Sequence, residues 1–119
     1  MEKQSLGQFG EEQAARYLRR RFYTILARNY RCRFGEIDLI AKRGGVLAFV
    51  EVKLRRDDAH GEAREFVTAR KQQRVLAAAE LWLSQNETAL QPRFDVIEVY
   101  APAGRDGPVR INHIENAFM

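Results

Sequence analysis

The stretch GEIDLIAKRGGVLAFVEVK, residues 35–53, predicts a β-hairpin that carries an acidic residue on each strand. Gly44 and Gly45 suit a two-residue type I′ turn, because both central positions of that turn need a positive φ. With this turn, Asp38 lies directly opposite Glu51, whereas a three-residue loop would shift the pairing by one residue. The Cβ atoms of such opposed residues lie about 4.5–5.5 Å apart. The sequence therefore predicts two carboxylates in close proximity.

Two opposed carboxylates destabilise a sheet unless a cation lies between them. Glu51 shares its face with Lys53, because side chains alternate along a strand. The apolar content of both strands favours a central position in a covered sheet, where unpaired acids are costly. We therefore expect a cation at Asp38 and Glu51, supplied in part by Lys53 and in part by Mg²⁺, which binds carboxylate oxygens. The alternative is an exposed salt-bridge cluster of these three side chains.

The remaining sequence predicts helices on a mixed sheet. Apolar residues from Leu6 to Phe22 recur at steps of three and four, which is typical of a helix. YTILARNYR and RFDVIEVY are typical of strands, VRINHIENAF begins as a short strand, and RRDDAHGEAR is typical of a loop. A long helix is expected from about Thr68, its N-cap, to Gln85. The predicted order is α-β-β-β-α-β-β, an α/β (α+β) fold with a mixed sheet flanked by helices.

Length and composition predict one globular domain over residues 1–119. The chain is 45% hydrophobic and 30% charged, which is typical of a folded protein. Its longest apolar run, Val46 to Val50, is far shorter than the roughly 20 residues of a membrane span. MEKQSLGQFGEEQ has no apolar segment of a secretory signal, and Cys32, the only cysteine, excludes an internal disulfide. We expect a cytoplasmic location with no membrane partner.

The distribution of charge predicts an anionic partner. The net charge is +4 and the isoelectric point is about 9.6, which is compatible with nucleic-acid binding. Basic residues crowd the first third of the chain: Arg16, Arg19, Arg20, Arg21, Arg28, Arg31, Arg33, Lys42 and Arg43. The alternative is that these residues form an ordinary solvated face.

A third acid lies on the first predicted helix. Glu11 precedes Ala14, Ala15 and Leu18 by three, four and seven positions, so it lies on or beside the apolar face. Glu12 groups instead with arginines on the polar face. Glu11 is therefore the acid expected to point inward, unless it is a boundary residue whose carboxylate reaches solvent.

These residues carry a family resemblance. Asp38, followed across a hairpin by Glu51-x-Lys53, resembles the PD-(D/E)XK, or restriction-endonuclease-like, nuclease core, with Ile37 where the motif name has proline. GEIDLIA, FVEVK, KQQR, RFDV and HIENAF resemble the YraN-like family of bacterial proteins, from about Gly10 to the C-terminus. The fold of that family is similar to archaeal Holliday-junction resolvases, whose first helix also carries an acid. Glu11 would correspond to it.

The resemblance implies a metal-dependent endonuclease that hydrolyses phosphodiester bonds in DNA, with branched or junction DNA as a candidate substrate and a homodimer as a candidate assembly. The carboxylates of Asp38 and Glu51, with the carbonyl of Val52, would bind Mg²⁺ or Mn²⁺. Lys53 would orient or deprotonate the attacking water, and Glu11 would be an auxiliary ligand. The expected nucleic-acid contacts are Arg55, Arg56, Lys71, Gln72 and Arg74. The alternatives are a nucleic-acid-binding module that does not cleave and a protein whose basic surface meets an acidic protein.

Overall fold

A computed structural model describes residues 5–56 and 68–118. These residues form two helices and five strands in the predicted order. The elements are α1 (Leu6–Arg20), β1 (Thr24–Cys32), β2 (Gly35–Arg43), β3 (Val46–Arg55), α2 (Ala69–Gln85), β4 (Gln91–Tyr100) and β5 (Arg110–Ile114). A short 3₁₀ helix, Gly104–Asp106, lies in the predicted turn before β5.

The five strands form one sheet in the order β1-β2-β3-β4-β5. β1 with β2, β2 with β3, and β4 with β5 are antiparallel. β3 and β4 are parallel, and the connection between them contains α2, as a parallel pair requires a long crossover. The prediction of a mixed sheet flanked by helices is confirmed.

The two helices cover opposite faces of the sheet. On one face, α1 packs its buried residues Ala14, Ala15 and Leu18 against the sheet; the sheet residues of this cluster include Leu39, Ala41, Ala48, Val50, Ile97 and Val99. On the other face, α2 packs Val75, Ala78 and Trp82 on a second set, which includes Ile40, Leu47, Phe49, Phe94 and Val96. Where β2 and β3 pair, both faces are covered, and the residues there, 39–41 and 46–50, are continuously apolar.

The predicted hairpin register is confirmed between β2 and β3, but it stops short of the acids. The described pairs run from Arg43 with Val46 to Leu39 with Val50. The next expected pair, Asp38 with Glu51, does not belong to this ladder. Instead, Oδ2 of Asp38 accepts a hydrogen bond from the main-chain N–H of Val52 at 2.8 Å. The carboxylate of Asp38 thus replaces a main-chain carbonyl as the hydrogen-bond acceptor at the point where regular pairing between β2 and β3 ends.

The turn between these strands also differs from the prediction. Gly44 has a φ of +56°, but Gly45 is not among the glycines with a positive φ. A type I′ turn needs a positive φ at both positions, whereas a type II′ turn needs it only at the first. The type I′ prediction is therefore wrong, although the register that it implied is right.

The ends of the helices fit the local sequence, with one exception. Thr68 is the N-cap of α2, as predicted, and its hydroxyl accepts from the N–H of Lys71 at 3.1 Å. Ser5 caps α1 through a capping box with Gln8. Phe22 is the exception, because the apolar period placed it on the buried face of α1. It lies beyond the helix end, and its exposed fraction is 87%.

The predicted loop after β3 and the predicted absence of a membrane span concern the rest of the chain. Most of the predicted loop RRDDAHGEAR lies in residues 57–67, outside the described part of the chain. Among the described helices, neither is long and apolar enough to span a bilayer.

Candidate active site

The predicted acids lie where β2 and β3 stop pairing. Asp38 is half-buried, and its carboxylate is fixed by the 2.8 Å hydrogen bond from the N–H of Val52. Val52 directly follows Glu51, which is 5% exposed. The fold therefore holds one carboxylate from each strand at the junction, although the two residues are not a direct cross-strand pair.

Two lysines compensate the charge of Glu51. Nζ of Lys53 lies 3.7 Å from Oε1 of Glu51, on the same strand and face, as expected. Nζ of Lys71 lies closer to the same oxygen, at 2.7 Å. Lys71 was expected to hold a phosphate, so its position against the acid is a contact that the sequence did not reveal. It belongs to the first turn of α2, which packs on the face that carries Glu51.

The pKa of Asp38 is strongly shifted by its surroundings. Burial, followed by the negative charge of Glu51 and then that of Glu11, raises the pKa of Asp38 to about 7 from 3.8. The hydrogen bond from Val52 and the charge of Lys71 act in the opposite direction. Glu11 therefore acts on Asp38 from α1, while Lys71 acts from α2. Carboxylates with perturbed pKa values of this kind are concentrated at functional sites.

The ammonium group of Lys71 responds to the same acids. Burial lowers the pKa of Lys71, but the hydrogen bond and charge of Glu51, and the charge of Asp38, outweigh this effect and raise it. Lys71 is consequently held in its charged form beside Glu51. Its ammonium adds a positive charge beside Glu51 that the sequence did not predict, because the expected cations there were Lys53 and a divalent metal.

The donor set at the junction fits a hard divalent cation. Asp38 and Glu51 carry carboxylates, and the third expected ligand is the carbonyl of Val52, the residue whose N–H binds Asp38. Within residues 5–56 and 68–118, no three His, Cys, Asp or Glu side chains form a ready metal cage. Mg²⁺ does not need one, because it keeps several waters and binds one or two carboxylates together with substrate phosphates. The two carboxylates are therefore chemically compatible with Mg²⁺ or Mn²⁺.

A basic cleft adjoins this cluster. Its volume is about 340 Å³, and its described lining comprises Arg31, Cys32, Gly35, Glu36, Lys71, Arg74 and Val75. The exposed guanidinium groups of Arg31 and Arg74 come from β1 and α2, respectively. The cleft thus joins the acids to a cationic surface of a size that suits a phosphate group.

The family follows from comparison with known sequences. The model of the Uncharacterised protein family UPF0102 matches residues 10–99. The chain belongs to the UPF0102 family. A UPF0102 protein of Symbiobacterium thermophilum is 50% identical over 114 residues, which cover 95% of each chain. One of Nocardia farcinica is 48% identical over 118 residues, covering 98% of this chain and 91% of the relative.

A third UPF0102 relative, from Caldicellulosiruptor saccharolyticus, is 42% identical over 119 residues and is covered completely. The expectation of a bacterial family without an assigned activity is therefore confirmed. None of these three relatives is described by an activity, so the site itself carries the functional inference.

The other predicted nucleic-acid contacts of this UPF0102 chain differ in accessibility. Arg74 and Arg56 are exposed, and Gln72 is half-buried in the first turns of α2. Arg55 is turned inward: its side chain is 17% exposed and its Nε lies 3.6 Å from Oε2 of Glu98. The geometry therefore does not favour Arg55 as a contact to the phosphate backbone of a nucleic acid, because its guanidinium faces the buried acid Glu98 on β4.

Glu98 was missed in the sequence, although it belongs to the same face of the sheet as Lys53. It is completely buried and lies beside Lys53 in the parallel β3–β4 register. Its carboxylate accepts from the hydroxyl of Tyr100 at 2.9 Å and from Nδ2 of Asn112 at 2.8 Å. An acid in the apolar strand FDVIEVY was the available signal, because a buried acid requires such partners.

A second buried acid, Asp95, was also missed. Its carboxylate accepts from Nε and Nη2 of Arg93 at 2.9 and 2.7 Å, from the N–H of Asn116 at 3.0 Å, and contacts Nε2 of His113 at 2.8 Å. Burial would raise the pKa of Asp95, but the hydrogen bonds from His113 and Arg93 outweigh it and lower the pKa. This cluster fixes β5 and the following residues to β4, so its role is structural.

Proposed function

We propose that this chain is a metal-dependent endonuclease that hydrolyses phosphodiester bonds in DNA, built as one nuclease-like domain over residues 1–119 with a restriction-endonuclease-like core. The observation that carries the proposal is the junction of β2 and β3, where Asp38 and Glu51 lie with two lysines beside a basic cleft. Acids for a cation, a lysine for a developing negative charge, and cations for phosphate are the components of phosphodiester hydrolysis.

Each residue of the cluster has a distinct proposed role. Asp38, Glu51 and the carbonyl of Val52 hold Mg²⁺ or Mn²⁺. The chemistry supplied by that ion, when bound, is activation of a water and neutralisation of charge on the phosphate. Lys53 orients or deprotonates the attacking water and stabilises the charge that develops on the phosphate oxygens. Glu11 acts as an auxiliary acid, which is supported by its effect on the pKa of Asp38.

Nucleic acid would approach the site along its basic side. Arg74 and Lys71 line the cleft beside the acids, and Arg56 and Gln72 extend the surface. Backbone contacts of this kind position a substrate without reading its sequence. The resemblance to junction resolvases supports branched or junction DNA as the substrate and a homodimer as the assembly, since a two-fold axis would place two sites on two equivalent strands.

One observation favours a second candidate, a nucleic-acid-binding module that does not cleave. Nζ of Lys71 already neutralises Glu51 at 2.7 Å, so the fold accommodates the acid pair without a metal. A protein that uses the cleft only to bind phosphate would show the same ion pair. The two candidates differ in a single measurable property, which is the formation of metal-dependent products.

The deciding experiment is a cleavage assay on labelled linear duplex, single-stranded, flap and four-way-junction DNA, with Mg²⁺, Mn²⁺ or EDTA. Asp38→Asn and Lys53→Ala are the test variants. Glu12→Gln is the matched control, because Glu12 neighbours Glu11 on α1 but pairs with Arg28 at 2.8 Å on the polar side. We expect metal-dependent products that both test variants abolish and the control retains, with all variants folded.

Binding without products in every metal would establish the non-cleaving module. Products that persist in Asp38→Asn would contradict the proposed site, because they would come from other residues or from a contaminating nuclease.

A further inference from the structure

Phe22 occupies the position after the C-terminus of α1 at which glycine is usual. Its N–H donates to the carbonyl of Arg19 at 3.0 Å, and the N–H of Tyr23 donates to the carbonyl of Leu18 at 3.0 Å. These two bonds form a Schellman motif. The residue after the cap in this motif adopts the left-handed conformation, and Phe22 does so with a φ of +71°.

Neither the backbone nor the core explains a phenylalanine at this position. The left-handed region disfavours residues with a Cβ, so glycine would close the helix with less strain. The side chain gains no compensating burial, because its exposed fraction is 87%, against 37–41% for the other exposed large hydrophobic residues. A residue that is unfavourable for the local conformation and unused in packing points to a role outside the chain.

The surroundings of Phe22 are cationic. Exposed basic residues precede it at the end and C-cap of α1 and lie at the nearby end of β2: Arg19, Arg20, Arg21, Lys42 and Arg43. Arg43 is held in place, since its guanidinium lies 4.5 Å from the ring centroid of Tyr23 and donates to the carbonyl of Arg21 at 3.1 Å.

The ring of Phe22 borders a cavity of about 440 Å³, whose described lining includes Thr24, Lys42, Arg43 and Leu90. None of its described lining residues is acidic. The surface therefore combines an open aromatic face, a shallow cavity and positive charge.

We propose that Phe22 is a stacking platform for an unpaired base of single-stranded nucleic acid, with Lys42 and Arg43 contacting the adjoining phosphates. Single-strand binding proteins combine a cationic groove with exposed aromatic rings, because each base offers a face for stacking. An apolar protein partner would not need the surrounding cations. The net charge of +4 agrees with the anionic partner.

This binding site is separate from the proposed catalytic centre. Arg43 is the last residue of β2, whereas Asp38 lies five residues earlier in the same strand, and five residues of a strand span about 17 Å. Base stacking at Phe22 therefore does not require cleavage, and it is measured with the metal removed. The two proposals are therefore independent: loss of DNA cleavage would not contradict base stacking at Phe22, and loss of base stacking would not contradict DNA cleavage.

The test is the affinity for a labelled single-stranded oligonucleotide, by fluorescence anisotropy in EDTA, with the duplex of the same sequence as the reference. The variants are Phe22→Gly, Phe22→Leu and Phe22→Tyr. We expect Phe22→Gly and Phe22→Leu to weaken single-strand binding by roughly tenfold, as loss of one stacked base does. Phe22→Tyr should bind like the wild type, and the duplex affinity should change little in all three variants.

Phe22→Leu separates aromatic stacking from apolar contact, and Phe22→Gly guards against misfolding because glycine suits the Schellman position. The melting temperature of Phe22→Gly should equal or exceed that of the wild type. Single-strand binding by Phe22→Leu at wild-type affinity would overturn the proposal, as would a wild-type protein that binds no single strand. Phe22-dependent binding to anionic lipid vesicles, with unchanged oligonucleotide affinity, would overturn it in favour of a membrane surface.

Discussion

Nζ of Lys71 lies 2.7 Å from Oε1 of Glu51, a full ångström closer than Nζ of Lys53 at 3.7 Å. The ammonium of Lys71 therefore lies against an oxygen that we propose as a metal ligand. A lysine and a divalent cation at the same carboxylate compete, because each neutralises the same charge. In the proposed endonuclease, Lys71 would turn to a substrate phosphate when the metal binds.

Replacement of Lys71 tests this competition. Lys71→Gln should bind Mg²⁺ and Mn²⁺ more tightly than the wild type, since Glu51 no longer has its nearest cation. We expect a gain of roughly tenfold, equivalent to about 1.4 kcal/mol. Isothermal titration calorimetry of the nucleic-acid-free protein measures this change directly. DNA cleavage should nevertheless fall, because the variant also loses a contact to phosphate.

Arg74→Gln is the matched control for this titration, as it removes a charge from the same cleft without contact to Glu51. Its metal affinity should stay close to that of the wild type. An equal gain in both variants would show that only the general positive field of the cleft opposes the metal.

The sequence predicted the hairpin register and the inward acids because both depend on short-range rules. Side chains alternate along a strand, and the glycine turn sets the pairing, so Asp38 and Glu51 had to approach each other. The last pair could not be predicted, because the Asp38 carboxylate takes over the N–H of Val52. A side chain that replaces a main-chain acceptor does not change the apolar periodicity of the sequence, so that periodicity cannot predict it.

Contacts between elements that are distant in sequence were harder to predict. Lys71 reaches Glu51 only because α2 packs on that face of the sheet, and Arg55 turns inward only because Glu98 lies on the neighbouring strand. Both depend on the packing of distant segments, which local patterns do not encode. Phe22 was misplaced for a different reason: its spacing fits the apolar face, but α1 ends at Arg20, two residues earlier, with Arg21 as the C-cap.

The raised pKa of Asp38 predicts a pH-dependent stability in the absence of metal. The folded chain holds the Asp38 proton up to about pH 7, whereas its ordinary pKa is 3.8. Between these values the folded state binds more protons, so the free energy of unfolding should fall as the pH rises from about 4 to 7. Urea unfolding in EDTA should show this decline in the wild type, and Asp38→Asn should remove it.

Glu36→Gln is the control for the Asp38 measurement. Glu36 lies on the same strand, but its side chain is 53% exposed and pairs with Arg31 at 3.3 Å. Its profile should therefore keep the decline of the wild type. A decline of equal size in Asp38→Asn would mean that another group is responsible.

Asp95 is expected to carry much of the stability of the β4–β5 side. Asp95→Asn removes the buried charge that pairs with the partly buried Arg93, and breaking a buried pair costs about 3 kcal/mol. The urea midpoint should fall accordingly, with an unchanged dependence on denaturant. Because the pKa of Asp95 is lowered, its contribution is present above about pH 4 and is lost as the pH falls further.

Glu115→Gln serves as the control for Asp95→Asn. Its carboxylate also faces Arg93, at 3.5 Å from Nη1, but it is 52% exposed. Exposed pairs contribute about 0–1 kcal/mol, so this variant should lose little stability. Comparable losses in the two variants would contradict the central position of Asp95 in the cluster.

Gly35 sets the distance between β2 and the helix that carries Lys71. It has a φ of +156°, and an added Cβ would lie 3.1 Å from the carbonyl oxygen and 3.2 Å from Cβ of Arg74. Gly35→Ala should therefore push the first turns of α2 away from the sheet. We expect a loss of about 1–3 kcal/mol in the free energy of unfolding, the range of strained or overpacked sites.

The same substitution should lower DNA cleavage, because Lys71 and Arg74 move with the helix, whereas Asp38 and Glu51 stay on the sheet. Gly45→Ala provides the comparison, since a Cβ there meets no atom within 4 Å and its φ lies outside the strained range. It should be neutral in both urea unfolding and cleavage. Gly35→Ala could instead lower stability and leave both cleavage and DNA affinity intact. In that case cleavage would not depend on the position of α2, and the proposed binding of phosphate by Lys71 and Arg74 would be contradicted.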